Sequence, residues 1–542
     1  MVTLIVQTAT DKTGYKTTVI VTVPIIAIML QDHITVIVIV TVIVNKTRNN
    51  MIFEILAERY GTGVTDQKTF FYDNEKNILS DETGYIWEYP NTYANSTFIQ
   101  DVPYKPFDKN NPLKKSKDVR TVKIQMGLSC NYSCDYCSQK FVERPRETNA
   151  KDIENFMELF NNLNFSEDRG LRVEFWGGEP FVYWKTMKPL AEAIAERFKD
   201  WKNKPSFSVI TNGSLLTEEN CAWLYSMGFH VAVSHDGPGQ FTRGPDPFED
   251  PKKREVVLDL YQILRPLNRM SFNSMLSYKN QSRKAIYDWF VDFTNDPSVL
   301  LGEGTFVDAY DEDGLENSLK TKADHFAFRQ RSFGEIFGTN GEIGFTGILG
   351  KIDNFTEDLL THREADYLGQ KCGMDSEETV AFDLRGNVIT CQNVSALETG
   401  KNGEPHLSGN IANIEDVSIS TSTHWSNRKE CPECPVLHIC KGACMFLDGV
   451  YWKASCNNAY SDNVPLFAAS IEKITGYIPV LIKSDTLPLD RQDIWGNIYK
   501  HEEEQPKKII PIKVVSEKVA VIDNIEVYGK SSLINTTEES GA

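Results

Sequence analysis

With 542 residues, of which 41% are hydrophobic and 24% charged, the chain is long enough for several domains and a sizeable core. A formal net charge of −18 excludes broad nucleic-acid binding, which needs a clustered excess of Lys and Arg to meet phosphates. Most of the eleven cysteines fall in Cys-x2-Cys and Cys-x3-Cys clusters, with no clear signal peptide before them. That usage points to a reducing, cytoplasmic setting rather than to a disulfide-bonded secreted protein. At the N-terminus, residues 17–30 and 34–44 are rich in Val, Ile and Thr, and Thr-Val-Ile-Val recurs in both. Neither run reaches the roughly 20 apolar residues of a membrane-spanning helix, and Gln31, Asp32 and His33 interrupt them. β-Branched repetition with a polar break predicts two strands joined by a turn, with a membrane anchor as the weaker alternative, and sets residues 1–50 apart as an extension.

From 53 to 112, aromatic pieces such as Thr69-Phe70-Phe71-Tyr72 and Tyr85-Ile86-Trp87-Glu88-Tyr89 alternate with Asp, Asn and Gly turns. They predict a small β-rich or α+β accessory domain over 51–117, closed by a Lys-rich linker. Over 118–350, strand patterns at 121–126, 172–176, 207–210, 230–233, 270–276 and 304–307 alternate with helical ones at 153–163, 184–198, 218–227, 254–264 and 282–293. That alternation predicts an α/β fold with a parallel sheet.

Directly after the first strand stand Cys130, Cys134 and Cys137, three soft thiolates on one loop that suit iron–sulfur or zinc ligation, with no fourth cysteine nearby. Gly177-Gly178-Glu179-Pro180 follows the second strand, where missing side chains let backbone approach a ligand. Thr211-Asn212-Gly213 ends the third strand, and Ser234-His235-Asp236-Gly237-Pro238 the fourth. Cys372, Cys391, Cys431, Cys434, Cys440, Cys444 and Cys456 then form a second constellation over 351–462, for which a zinc ribbon is the alternative reading. Cys221 reads as a small buried residue of a helix. The extension over 463–542 holds a helix at 464–474, strand-like alternation over 507–522 and a polar tail from Asn535.

The Cys130-x3-Cys134-x2-Cys137 arrangement, with Tyr136 before the last cysteine, resembles the signature of radical S-adenosylmethionine (radical SAM) enzymes, and the later seven cysteines resemble a SPASM auxiliary-cluster domain. The likeness runs from about Val119 to Tyr460. It implies a partial (β/α)6 TIM-like barrel and three iron–sulfur clusters of the 4Fe–4S type. Cys130, Cys134 and Cys137 would hold the cluster that chelates SAM. Cys431, Cys434, Cys440 and Cys456 would hold a distal auxiliary cluster, and Cys372, Cys391 and Cys444 a proximal one. By the same resemblance Gly177, Gly178, Glu179 and Pro180 contact the amino group of SAM, Asn212 lies beside it, Ser234 meets the ribose or carboxylate, and Arg243 pairs with the carboxylate.

Two departures from the family pattern matter. No cysteine precedes Cys372 within 361–371, which leaves the proximal cluster one ligand short unless a group such as Asp366 closes it. Gln392 follows Cys391 where sulfatase maturases carry an aspartate base, and an amide is no general base, so Glu303 or Asp308 becomes the candidate. The implied activity is a peptide or protein maturase that abstracts hydrogen and forms a crosslink or another oxidised residue, supplied with electrons by a flavodoxin or ferredoxin. A small-molecule dehydrogenase or rearrangement enzyme is the alternative, and a non-enzymatic iron–sulfur electron carrier a further one.

Overall fold

The computed structural model describes residues 52–61, 64–89, 103–140, 142–143, 148–302, 304–337, 346–400, 403–420 and 423–497, together with strands lying between 2 and 48 and between 518 and 528. The chain divides into two compact units, Met1–Trp495 and Gly496–Ala542. In the first, five parallel strands pair in sequence order: β1 (Thr121–Gln125), β2 (Arg172–Trp176), β3 (Ser206–Thr211), β4 (His230–Ser234) and β5 (Met270–Asn273). The register carries Ile124 to Phe175, Val209, Val231 and Met270 across the sheet. A short β6 (Thr305–Phe306) pairs with Met275–Leu276, which resumes the line of β5 beyond Ser274. This is the expected six-stranded partial barrel.

One face of each strand is apolar and buried, including Val122, Ile124, Val173, Phe175, Phe207, Val209, Val231 and Val233. These residues alternate with ones that face the other way, because strand side chains have a period of two. The covering helices repeat their apolar residues at helical spacing, as with buried Met187, Leu190, Ala191 and Ile194 on Trp184–Arg197. Their starts are capped by side chains: Thr217 and Asn220 form a capping box, and Ser282 accepts the amide of Ala285. The helix expected from 254 begins at Pro251, which sits in the first turn behind the capping Asp250.

The barrel sheet continues past β1. Thr379–Asp383 pairs parallel to β1, and Asn387–Ile389 and Leu407–Asn410 follow antiparallel, so the cysteine-rich region is built onto the barrel's own first strand. Two expected divisions fall inside helices: 350/351 lies within Thr346–Leu360, and 462/463 within the 27-residue helix Gly449–Thr475. The long helix escapes a periodicity reading because its barrel-facing residues are polar. The hydroxyl of Ser455 accepts the amide of Ala309 (2.8 Å), Asn458 accepts that of Leu319 (3.1 Å), Ser461 bonds His325 and Arg329, and Asp462 pairs with Arg283.

The accessory segment does not stand alone either. Ile52–Gly61, Val64–Asp73 and Ile78–Asp81 are antiparallel, and the fourth strand of their sheet is Ile478–Lys483 from the C-terminal region. Phe53, Ile55, Ala57, Phe70, Tyr72 and Leu79 share one buried face with Tyr460, Val464, Phe467 and Ile471 of the long helix. A three-stranded sheet with so apolar a face needs a cover, and the C-terminal region supplies it. Nearer the N-terminus, Ile25–Leu30 and His33–Val38 pair antiparallel, and Val2–Thr10, Tyr15–Val23 and Thr41–Arg48 form a second sheet. No helix among the described residues is long and apolar enough to cross a membrane. In the second unit Lys518–Ile522 pairs with Ile525–Tyr528; 507–517 and the tail from Asn535 lie outside the described residues.

The pair Arg283–Asp462 joins barrel to long helix with both side chains nearly enclosed, at 9% and 1% exposure. Asp462→Ala strands a buried guanidinium and is expected to cost about 3–5 kcal/mol, read as a lower midpoint in chemical unfolding. Replacing both members by apolar residues is expected to cost much less; equal losses would show that packing, not charge, holds this seam.

Candidate active site

The loop after β1 is held by the loop after β2 through backbone contact. The amide of Gly178 donates to the carbonyl of Gly127 and that of Glu179 to Ser129, both at 3.0 Å. A Cβ on Gly177 would stand 2.6 Å from the Gly127 oxygen, and one on Gly178 would stand 2.5 Å from the Ser129 oxygen. Both glycines are therefore required by the approach of one backbone to another. Pro180 opens a short 3-10 turn, and the hydroxyl of Tyr183 within it accepts the amide of Ser129 at 2.7 Å. Glu179 is buried, and its carboxylate accepts from the amides of Phe181 and Asn212 and the hydroxyl of Thr211. It ties the β2 loop to the end of β3. Burial raises its pKa against the lowering effect of those donors.

Asn212 continues the stitching. Its amide donates to Asn131 of the cysteine loop (2.9 Å), its oxygen accepts from Ser214, and Asn131 donates to the Ser214 hydroxyl (2.8 Å). On the far side the amide of Asp135 donates to the carbonyl of Thr242 (2.8 Å), beyond β4. Cys130, Cys134 and Cys137 thus sit on a loop braced by the C-terminal ends of its neighbours, and each thiol is within electrostatic reach of the others. Burial pushes Cys134 up to about 12, opposed by Arg243, and raises Cys130. The amides of Tyr132 and Gln139 point at the sulfurs of Cys130 (3.3 Å) and Cys137 (3.4 Å), donors suited to thiolates bound to iron. Three such thiols, with no fourth cysteine on their loop, fit a cluster that keeps one iron open to a chelating ligand.

Arg243 has a partner that the sequence reading did not name. Its guanidinium lies 3.0 Å from Asp236 and 5.8 Å over the ring of Tyr136, whose hydroxyl donates to the other Asp236 oxygen. Asp236 also accepts the amide of Met275 at 2.9 Å. Tyr136 and Arg243 therefore meet beside Cys134 on a buried carboxylate. Ser234 ends β4, partly buried, in register with Asn273. His235 is fully buried between Phe248 and Trp289; its Nδ1 accepts the amide of Gly237, so Nε2 carries the proton toward Asp246, and burial lowers its pKa.

Between the strands lies a cavity of about 440 Å³ whose lining runs from Glu174, Trp176 and Ile210 to His230, Asn268 and Arg269 at the N-terminal ends of β4 and β5. Glu174 accepts from the indole of Trp176 (2.9 Å) and lies 3.8 Å from the ammonium of Lys123, which also donates to the Cys372 carbonyl (3.1 Å). Gln125 donates to the carbonyls of Gln392 (2.7 Å) and Val394 (2.9 Å). The sequence reading missed Lys123, Gln125 and Glu174. Their signal was polar side chains at alternate positions of otherwise apolar strands.

The later cysteines fall into two sets. Cys431, Cys434, Cys440 and Cys456 influence one another electrostatically, as Cys391 does with Cys372 and with Cys444. Burial raises the thiols of Cys372, Cys391, Cys431, Cys434, Cys440 and Cys444, with Cys391 and Cys434 pushed up to about 12. Tyr310 hydrogen-bonds Cys444, and Asp308, its carboxyl raised by burial, stands near Cys440 and Cys444. Asp366 is exposed, with its carbonyl taking the amide of Tyr104, whereas Glu303 lies outside the described residues. Cys221 is buried in the helical layer. Among the described residues no three His, Cys, Asp or Glu side chains converge on one metal ion.

Residues 124–284 match the family model of the Radical SAM superfamily. The chain is 23% identical over 384 residues to the radical SAM cyclopropyl synthase TigE of Paramaledivibacter caminithermalis, covering 66% of this chain and 74% of that protein. It is 21% identical over 334 residues to the serine-type anaerobic sulfatase-maturating enzyme of Klebsiella aerogenes, covering 59% and 78%. A solved structure of anSMEcpe with AdoMet and the Cp18Cys peptide superposes with a TM-score of 0.46 at 20% identity, over 66% of this chain and 99% of that one. The barrel, with its three-thiol loop, is a radical SAM domain. Residues 124–284 therefore carry a radical SAM domain, which gives this enzyme SAM and a 4Fe–4S cluster as cofactors.

Gly178→Ala forces the β2 loop off the Ser129 carbonyl and is expected to lower both iron loading by the three-thiol loop and SAM binding, measured by iron assay and by equilibrium dialysis with labelled SAM. Unchanged values would mean that the backbone contact does not shape the loop.

Proposed function

We propose that this enzyme is a radical SAM/SPASM maturase that oxidises a peptide or protein substrate by hydrogen abstraction, forming a crosslink or another modified residue. The observation that carries this reading is the gathering of seven further cysteines in a region built onto β1, with Cys431, Cys434, Cys440 and Cys456 near one another and Cys391 near Cys372 and Cys444. The relatives add support, since one of them is a sulfatase-maturating enzyme, whose substrate is a protein. When bound, the cluster at Cys130, Cys134 and Cys137 supplies the electron that cleaves SAM to methionine and a 5′-deoxyadenosyl radical, and the auxiliary clusters offer an acceptor for the electron released on oxidation.

The chain's own residues then have definite tasks. Gly177, Gly178, Glu179 and Pro180 shape the floor against which SAM rests, with Asn212 and Ser234 at its side. Arg243 and Tyr136, fixed on Asp236, place a positive charge beside Cys134 and toward the carboxylate of SAM. Gln392 takes no proton; Glu174 and Asp308 are the carboxylates available for the one that substrate oxidation releases. Electrons enter from a flavodoxin or ferredoxin in a reducing cytoplasm.

Anaerobic reconstitution is expected to load about twelve irons per chain, for three four-iron clusters; a value near four overturns the SPASM reading. Incubation with SAM and short peptides encoded beside this chain, read by mass spectrometry, is expected to show loss of two hydrogens. No change in any such peptide, with 5′-deoxyadenosine still formed, would favour a small-molecule substrate. Cys130→Ala is expected to abolish 5′-deoxyadenosine formation, and retained activity would place the radical source elsewhere.

A further inference from the structure

Arg491 belongs to the short helix Leu489–Gln492, in the C-terminal stretch that no motif covers. Its Nη2 donates to the sulfur of Cys456 at 3.4 Å and to Oδ1 of Asn457 at 2.7 Å. The guanidinium lies 4.8 Å over the ring of Tyr460, and the Tyr460 hydroxyl donates back to the carbonyl of Arg491. The side chain is thus held at its head by Asn457, along its plane by Tyr460 and at its backbone by the same tyrosine. It also faces Cys434. The neighbouring Arg428 is placed differently, donating to the carbonyls of Met445 and Leu447 and lying over Trp452.

We propose that Arg491 is a positioning residue that raises the reduction potential of the distal auxiliary cluster, a proposal that rests on reading Cys431, Cys434, Cys440 and Cys456 as the ligands of that cluster. One-electron reduction adds a negative charge that spreads onto the ligating sulfurs. A fixed guanidinium bonded to one of them stabilises the reduced state more than the oxidised one, and the effect is large where water is scarce. No proton moves in this step, because arginine stays charged throughout.

The test is a potentiometric titration of the full-length, reconstituted protein without SAM, with dithionite as reductant and the cluster signals followed by electron paramagnetic resonance. Cys434→Ser identifies the distal signal. Arg491→Gln is expected to retain its iron and to make reduction of the distal cluster at least about tenfold less favourable, a fall of ~59 mV for a one-electron couple. Arg491→Lys, which keeps the charge without the planar fork, is expected to lie between, with the other two signals unmoved. Full iron and an unchanged distal potential in Arg491→Gln would overturn the proposal and leave the cluster assignment standing. If Arg491→Gln loses iron, Arg491→Lys decides, and a wild-type potential there overturns the proposal. A wild-type protein without any signal sensitive to Cys434→Ser overturns the cluster reading and the proposal together.

Discussion

The contact on which the site depends is one of backbone against backbone: Gly177 and Gly178 pressed onto the carbonyls of Gly127 and Ser129. A loop bearing three thiols has no reason of its own to hold them in one arrangement. Here its base is fixed by amides from the next loop, its middle by Asn131 on Asn212 and Ser214, and its far end by Thr242. Each brace comes from the C-terminal end of a parallel strand, where a barrel collects the ends of segments distant in sequence. Glu179 closes the circuit by spending its carboxylate on the β3 end. Its carboxylate is taken up by the amides of Phe181 and Asn212 and the hydroxyl of Thr211.

A second layer of order comes from polar contacts buried where apolar ones would be the simpler choice. The stripe Ser455, Asn458, Ser461 and Asp462 fits one set of backbone and side-chain partners on the barrel side. Apolar packing tolerates small rotations of a helix, whereas these groups lose partners when the helix turns. Since Cys456 lies within the same stretch, the angular setting of the helix also sets the position of a thiol.

Much of the barrel was legible in the sequence, because parallel strands buried against helices read as short apolar runs separated by helical periods. Arg172–Trp176 agrees with its expected limits, and β1, β3 and β4 do so within about one residue at either end. Cysteine spacing identified the thiol loops for a similar reason, since local spacing survives without knowledge of the fold. What could not be read were relations between remote segments. Nothing local in 52–61 announces a pairing with 478–483, and Arg59 meets the Gly476 carbonyl across 417 residues. The Tyr136–Asp236–Arg243 cluster was hidden for the same reason, although all three residues lie in or next to recognised motifs. The long helix was read only from Val464 onward, where its apolar face begins, because the preceding turns bury polar groups.

The two ends of the described core converge on the four-thiol set. Asn74 donates to the carbonyls of Pro432 and Cys434, each at 2.9 Å, and its own carbonyl bonds His438, while Arg491 reaches Cys456 from the other side. During synthesis the first of these partners emerges early and waits, and the last leaves the ribosome only after all four thiols have done so. Enclosure of that site is therefore a late event in the making of the protein. The four thiols gain their full set of neighbours only when residues that precede them and residues that follow them in the sequence have come together.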